Sequence, residues 1–192
     1  MELFEHGGYE ALTIAAVCAR ANVAPRAIYD RAASKDALFL AVYEHGMQRV
    51  RDDNTQFTDD ARWRDLSAPE LVERAVHALA GVFLRHAAFL RSVVLVSNVH
   101  PEIYRRGTLY SHEIGEQFST VLLHARGQID HPDPEAATAA LFNTVFSALV
   151  LRTMYGPGFA TPADDDATFV AALSTMARRY LLVPENTGPA RE

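Results

Sequence analysis

The stretch that decides the fold is LTIAAVCARANVAPRAIYDRAASKDALF, residues 12–39. Thr13 precedes an alanine-rich run and predicts the N-cap of a helix that continues to about Ala21. The turn at 22–24 begins with an asparagine, which tolerates the left-handed backbone that such a turn needs. Pro25 then opens another short helix. Two short helices joined by a tight turn predict a helix-turn-helix, whose second helix fits the major groove of DNA.

Residues that favour helix starts occur along the rest of the chain. Ser34 predicts the N-cap of the next helix, and three prolines stand where first helical positions are expected, at Pro69, Pro101 and Pro134. The segment FLRSVVLVSNV, residues 89–99, is rich in β-branched residues, but no partner strand lies within reach of a hairpin, so we interpret it as a buried helix. The fold class expected is all-α, with roughly nine helices.

Composition limits the classes of function. A chain of 192 residues that is 49% hydrophobic and 22% charged is typical of a soluble protein with one core and a small appended domain. Its net charge of -6 means that any contact with nucleic acid must come from a local patch. Cys18 is the one cysteine, so no internal disulfide is possible. Neither a leader nor a membrane span is indicated, and a cytoplasmic location is expected.

Catalytic motifs are missing from the sequence. It contains no glycine-rich phosphate loop, no Gly-x-Ser-x-Gly elbow, no His-Glu-x-x-His and no CxxC pair. The pairs Glu73/His77 and His112/Glu116 have i,i+4 spacing, but such pairs are more often surface hydrogen bonds than half of a metal site. The sequence therefore predicts a protein that is not an enzyme, with no cofactor and no metal site.

The front of the chain resembles a known family. The pattern LF, GYEALT, V, IY and SKDALF is similar to the amino-terminal domain of the tetracycline-repressor (TetR) family of bacterial regulators. The matching residues are Leu3, Phe4, Gly8, Tyr9, Thr13, Val23, Tyr29, Ser34, Lys35 and Leu38. The resemblance covers about residues 3–45 and implies a DNA-binding domain at 1–47. It also implies a helical ligand-binding and dimerisation domain at 48–184, and we expect a disordered tail at 185–192.

Several positions depart from the family pattern. Asn22 stands where the family has glycine, and Ala24 stands where a capping serine is usual, which loses a bond of about 1 kcal/mol. Ala32 replaces a phenylalanine. The sequence also begins inside the expected first helix, so we expect about ten residues that often carry basic phosphate contacts to lie upstream of it or to be missing.

The resemblance implies where DNA would bind. Tyr29 would lie against the DNA backbone or a base edge, and Lys35 would contact a phosphate with help from the amides of its helix N-terminus. Asp30 would repel phosphate unless it faces away or pairs with a neighbouring arginine. The residues that we assign to DNA binding are Thr13, Pro25, Arg26, Ala27, Tyr29, Arg31 and Lys35.

The resemblance also implies an effector pocket and a dimer interface in the larger domain. Aromatic and polar residues of the middle helices are candidates for the pocket: Phe83, His86, Phe89, Tyr104, Tyr110, Phe118, Phe142 and Phe146. Small residues and an apolar stripe on the last two helices are candidates for the interface: Ala140, Thr144, Ser147, Phe169, Leu173, Met176 and Tyr180. Both sets are also compatible with an ordinary intramolecular core.

Two functions follow from the sequence. The first is a homodimeric regulator, most often a repressor, that leaves a double-stranded, pseudo-palindromic operator when it binds an unidentified small molecule. The alternative is an all-α dimer that binds a small molecule but has lost DNA binding, as the balanced charge of residues 1–51, with six basic and six acidic side chains, allows.

Overall fold

The computed structural model describes residues 1–159 and 164–182, and the tail predicted at 185–192 lies outside them. Within the described residues the chain forms nine α-helices and no named strand, so the all-α prediction is confirmed. Their bounds are α1 Glu2–Ala11, α2 Ile14–Ala21, α3 Pro25–Tyr29, α4 Lys35–Asn54, α5 Ala68–Arg85, α6 Ala87–Ser97, α7 Pro101–Leu122, α8 Pro134–Tyr155 and α9 Asp166–Leu181.

Local sequence signals set the starts of these helices. Thr13 Oγ1 accepts a hydrogen bond from the Ala16 amide at 3.1 Å, and Ser34 Oγ accepts one from the Ala37 amide at 3.1 Å, so both predicted N-caps are confirmed. Each cap satisfies one of the amides that a helix N-terminus leaves without an intrahelical partner. The β-branched segment forms the helix α6, because Phe89, Val93 and Val96 share one buried face.

Two hydrophobic clusters hold the helices together. The front cluster joins α1 and α4 to α6 and α7, and it contains Phe4, Phe39, Tyr43, Met47, Phe89 and Ile103 among others. The body cluster joins α5, α7, α8 and α9 through residues such as Leu71, Phe118, Leu141, Val145 and Leu173. Because the front cluster includes residues from both halves of the chain, it fixes the helix-turn-helix against the larger domain.

α4 crosses the boundary that the sequence analysis placed at residue 47. It runs without interruption from Lys35, beside the helix-turn-helix, to Asn54, deep in the larger domain. The buried oxygen of the Phe4 carbonyl accepts a hydrogen bond from Ser92 Oγ of α6 at 3.0 Å, which is a second tie between the two parts. The domain limits remain predictions, since one continuous helix belongs to both parts.

The acidic segment at about 52–68, whose polar composition is typical of a linker, is partly structured. After α4 the chain forms two 3-10 turns, Thr55–Thr58 and Asp60–Arg62. Trp63 is buried, its ring lies parallel to that of Phe57 at 5.5 Å, and its indole N–H donates to the Gln56 carbonyl at 2.8 Å. A buried aromatic pair makes this segment part of the body cluster, which its polar composition did not indicate.

α8 is long and apolar enough, with a mean hydropathy of 1.3, to meet the length and composition of a membrane span. The pair α5 and α6 meets the same test together, although the two helices are bent by 80° where they join. In this fold α8 buries Leu141, Val145 and Leu149 in the body cluster and turns Thr144 and Ser147 outwards. Because 33% of this apolar window is buried, packing within one chain accounts for only part of its composition.

Replacement of Gly46 by alanine is expected to destabilise the protein. A Cβ atom at this position of α4 would overlap Cε2 of Phe89, whose ring is buried and packs edge-on against Phe4. This overlap outweighs the helix propensity of alanine, and we expect Gly46→Ala to lower the free energy of unfolding by about 1–3 kcal/mol in a denaturant titration.

Gly107→Ala is the matched control for that substitution. Gly107 lies inside α7, and a methyl group at this position would have no neighbouring atom within 4 Å, so alanine there adds helix propensity without overlap. We expect an increase in stability of about 0.5–1 kcal/mol. If the two substitutions change the free energy of unfolding equally, the close contact between Gly46 and Phe89 leaves room for a methyl group, and the prediction is wrong.

Candidate nucleic-acid interface and ligand cavity

The helix-turn-helix has the predicted turn. Asn22 adopts the left-handed conformation, with φ 52° and ψ 48°, and its backbone N–H donates to the Cys18 carbonyl. Asparagine accepts this conformation at a modest cost, so the glycine usual in the family is not needed here. Ala24 supplies no side-chain cap to α3, and Pro25 occupies the first turn. α3 ends at Tyr29, so it has five residues.

α3 presents its polar side chains to solvent. No residue of this helix is buried, and 54% of Tyr29 is exposed. In the described part of the chain, neither Arg26 nor Arg31 forms an ion pair, and Arg31 Nη1 donates to the Ala27 carbonyl at 3.2 Å. Asp30 pairs with neither arginine, so its charge stays uncompensated on this surface. The arrangement offers two guanidinium groups and one opposing carboxylate.

Lys35 lies at the N-terminus of α4 but already has partners. Its Nζ atom is 3.2 Å from Oε2 of Glu10 and 4.0 Å from the centroid of the Tyr9 ring. The Tyr9 hydroxyl donates to Oδ1 of Asp36, and this hydrogen bond is the main reason that the pKa of Tyr9 is raised to about 12. An exposed ion pair contributes about 1 kcal/mol or less, so a phosphate can replace Glu10 at small cost.

Sequence reasoning missed the surroundings of Lys35. Glu10 and Asp36 reach Lys35 and Tyr9 across 25 and 27 residues of chain, and no local pattern reveals such a contact. Among the residues assigned to DNA, Thr13 caps α2 with its hydroxyl, and Pro25 and Ala27 belong to the backbone frame of α3. The contacts of all seven residues with DNA stay predictions.

A cavity of about 270 Å³ lies between α4, α5, α6, α7 and α8. Four of the eight residues predicted for the pocket line it: Phe83, Tyr104, Tyr110 and Phe146. Phe83 meets Phe146 edge to face, with ring centroids 5.3 Å apart, and both rings form an apolar wall. Tyr104 is largely exposed and stands at the mouth of the cavity.

The other four predicted pocket residues lie outside this cavity. His86 Nε2 is 2.8 Å from Oδ2 of Asp53, which also accepts from Arg85 Nε at 2.9 Å. Phe89 fills the space beside Gly46 in the front cluster. Phe118 and Phe142 are buried in the body cluster with centroids 5.7 Å apart. Aromatic residues at helical spacing serve a core and a pocket equally well, so sequence could not separate the two uses.

α4 supplies the wall that the sequence analysis did not assign to the pocket. Tyr43, Met47, Val50 and Asn54 follow one another at spacings of four, three and four residues and line the cavity together. That spacing is the signal that could have revealed them. The Asn54 amide nitrogen donates to the Tyr110 hydroxyl, and burial is the main cause that raises the pKa of Tyr110 to about 12.

α8 and α9 carry an exposed face with a shallow groove between them. Ala140, Thr144, Met176 and Tyr180 line the groove, and buried Leu173 forms its floor. Ser147 is also exposed on α8, whereas Phe169 is half-buried beneath the guanidinium of Arg152, 4.4 Å from its ring centroid. Small residues on one helix beside large apolar residues on the next suit close approach of a second copy.

Comparison with protein families matches both halves of the chain. Residues 1–42 match the model of bacterial regulatory proteins of the tetR family, and residues 67–181 match a tetracyclin repressor-like C-terminal domain. No curated protein matches the chain.

Solved structures share the fold across nearly the whole length. PfmR, a TetR family transcriptional regulator from Thermus thermophilus, superposes with a TM-score of 0.66 at 17% identity and covers 92% of this chain and 93% of its own. A TetR-like transcriptional regulator from Rhodococcus sp. gives 0.61 at 19% identity, with 93% and 88% covered. Since family models match both the helix-turn-helix and the larger helical domain, the chain belongs to the TetR family of bacterial transcriptional regulators.

Proposed function

We propose that this protein is a cytoplasmic, ligand-responsive repressor that binds a pseudo-palindromic operator as a homodimer and leaves it when a small molecule enters the cavity. The observation that carries the proposal is the path of α4. This helix begins at Lys35 beside the helix-turn-helix, and four of its residues, the first Tyr43 and the last Asn54, line the cavity. A single rigid element therefore belongs to both candidate sites.

The DNA contacts would come from α3 and the start of α4. Each subunit places α3 in a major groove, where Arg26 and Arg31 reach phosphates or base edges and Tyr29 packs against the backbone. Lys35 exchanges Glu10 for a phosphate that also meets the first amides of α4. The local patch supplies the attraction that the net charge of -6 does not.

The effector would act through α4. A molecule in the cavity touches this helix at Tyr43, Met47 and Val50, and these residues also belong to the front cluster that holds the helix-turn-helix. A ligand that fits one position of α4 better than another shifts the spacing of the two DNA-binding domains by its difference in affinity. The operator, which requires one spacing, is released.

A second function is favoured by one specific observation. Asp30 lies uncompensated between Arg26 and Arg31, and Lys35 is engaged by Glu10 and stacked on Tyr9. A surface in this state attracts DNA weakly, which would suit an all-α dimer that binds a small molecule and no longer binds an operator. DNA titration separates the two functions directly.

If the protein is a regulator, its affinity for DNA should fall as the salt concentration rises and should depend on the α3 surface. We expect the chain to bind the intergenic region upstream of its own gene, and the double variant Arg26→Ala, Lys35→Ala to bind more weakly with a shallower salt dependence. The slope of log K against log salt should fall by about 0.9 for each phosphate that the variant no longer neutralises, as measured by fluorescence anisotropy at several salt concentrations.

Two single variants sharpen this experiment. Tyr29→Ala removes no charge, so we expect weaker binding with an unchanged salt slope. Arg74→Ala removes an exposed cation of α5, remote from α3 in sequence, and should bind as the unsubstituted protein does. Absence of salt-dependent binding by the unsubstituted chain, with the dimer intact, would contradict the repressor and favour the ligand-binding dimer.

If two copies of the chain associate through the groove between α8 and α9, a charged side chain placed in this groove should disrupt the dimer. Thr144→Arg places a guanidinium among Ala140, Met176 and Tyr180, where it faces the same charge on the other subunit of a two-fold dimer. We expect sedimentation velocity to show a monomer at micromolar concentration. Val99→Arg, at an exposed apolar residue between α6 and α7, is the control and should stay dimeric. If Thr144→Arg stays dimeric, the dimer interface does not lie at this groove.

A further inference from the structure

The walls of the cavity carry no charge. All of its lining residues are apolar or neutral and polar, and none of those that the structure describes is Asp, Glu, Lys, Arg or His. The two nearby guanidinium groups already have carboxylate partners. Arg106 pairs with Glu44 and with Oε1 of Glu102 at 2.6 Å, and Arg51, 5.6 Å from the centroid of the Tyr110 ring, has its Nη1 atom 3.8 Å from Oε2 of Glu44. A charged ligand would lose its hydration here without gaining a counter-ion.

Three hydroxyl groups of the wall are satisfied by their own helices. Ser97 donates to the Val94 carbonyl at 2.7 Å, Thr108 to the Tyr104 carbonyl at 3.0 Å, and Ser111 to the Thr108 carbonyl at 2.9 Å. These bonds leave the hydroxyl donors occupied. These three hydroxyls therefore do not need a hydrogen-bond acceptor on a ligand.

Two buried oxygens of α4 are different. The Tyr43 hydroxyl and Oδ1 of Asn54 have no hydrogen-bond partner among the described residues, although Tyr43 is 0% exposed and Asn54 5%. Burial raises the pKa of Tyr43, so its hydroxyl keeps its proton and can donate, while Oδ1 of Asn54 can only accept. A buried polar atom without a partner is costly, and a ligand that pairs with it recovers that cost.

Tyr43 and Asn54 are the first and the last residues of the wall that α4 contributes. Asn54 follows Tyr43 by 11 residues on the same face, so their Cα atoms lie roughly 16 Å apart along the helix axis. Met47 and Val50 lie between them and are apolar. The volume of about 270 Å³ is below that of pockets for drug-sized ligands, so the occupant is small.

Resting on the proposed function of the cavity, we propose that its effector is a small, elongated, uncharged molecule with an apolar middle and a polar group at each end. One end accepts a hydrogen bond from the Tyr43 hydroxyl, and the other donates one to Asn54 Oδ1. A medium-chain diol or hydroxyketone has this chemistry, whereas a fatty acid anion or an organic cation does not.

Eight-carbon probes test this inference by isothermal titration calorimetry. We expect 1,8-octanediol to bind at least as tightly as 1-octanol, although the diol is less hydrophobic, because only the diol meets both oxygens. Octanoate and octanedioate at pH 7.5 should bind at least roughly tenfold more weakly than the diol, because each carries a charge into an uncharged site.

Variants of the two oxygens locate the contacts. Tyr43→Phe and Asn54→Leu should each weaken binding of the diol by roughly three- to tenfold. Tyr155→Phe, at an exposed tyrosine outside the cavity, is the matched control and should leave the affinity unchanged. Circular dichroism confirms that each variant is folded before titration.

Each other outcome overturns the inference. Octanoate or octanedioate as tight as the diol would mean that a charge is accommodated. Octanol tighter than the diol, or a diol affinity that Tyr43→Phe and Asn54→Leu leave unchanged, would mean that the ends are not recognised. Absence of binding by every probe rejects the ligand class.

Failure of the proposed function gives a different result. If the diol binds as expected but does not change the affinity of the protein for its DNA in the anisotropy experiment, the ligand class holds and the ligand-responsive release does not.

Discussion

The close contact of α4 with α6 is the constraint on which the rest of the structure depends. Because residue 46 is a glycine, the Phe89 ring occupies the space that a side chain at this position of α4 would fill. The Phe89 ring in turn packs against Phe4 of α1. The front cluster that results contains residues of the amino-terminal part and of the larger domain, so α4 packs against both. This contact positions α4, which starts at the candidate DNA-binding surface and lines the cavity, so it connects the two candidate sites.

Electrostatics at the front of the chain are balanced, with cations and carboxylates interleaved. Lys35 is held by Glu10 and Tyr9, while Arg26 and Arg31 are free of ion pairs among the residues described and flank Asp30. Weak exposed pairs can be exchanged for phosphates, so the proposed DNA binding is expected to depend on salt and on the local geometry of α3. The acidic remainder of the chain discourages non-specific binding elsewhere.

The selectivity that we propose for the cavity rests on the groups that its wall lacks as well as on those that it holds. The hydroxyls of Ser97, Thr108 and Ser111 donate to the backbone of their own helices. The lining is uncharged in the described part of the chain, and the Tyr43 hydroxyl and Asn54 Oδ1 have no partner among the described residues. A site of this kind is expected to discriminate between ligands by the cost of unpaired polar groups, which exceeds the cost of an apolar mismatch.

The sequence by itself determined the helical class, the caps at Thr13 and Ser34, the left-handed turn at Asn22 and the family, because each depends on residues close together in the chain. Tertiary structure alone decided which aromatic residues face a cavity. Phe118 and Phe142 have the same periodicity as Phe83 and Phe146, yet the first two fill a core. It also decided that Tyr43 and Asn54 meet the cavity and that Lys35 meets Glu10. Contacts across long stretches of chain depend on how helices cross, and no local pattern encodes that.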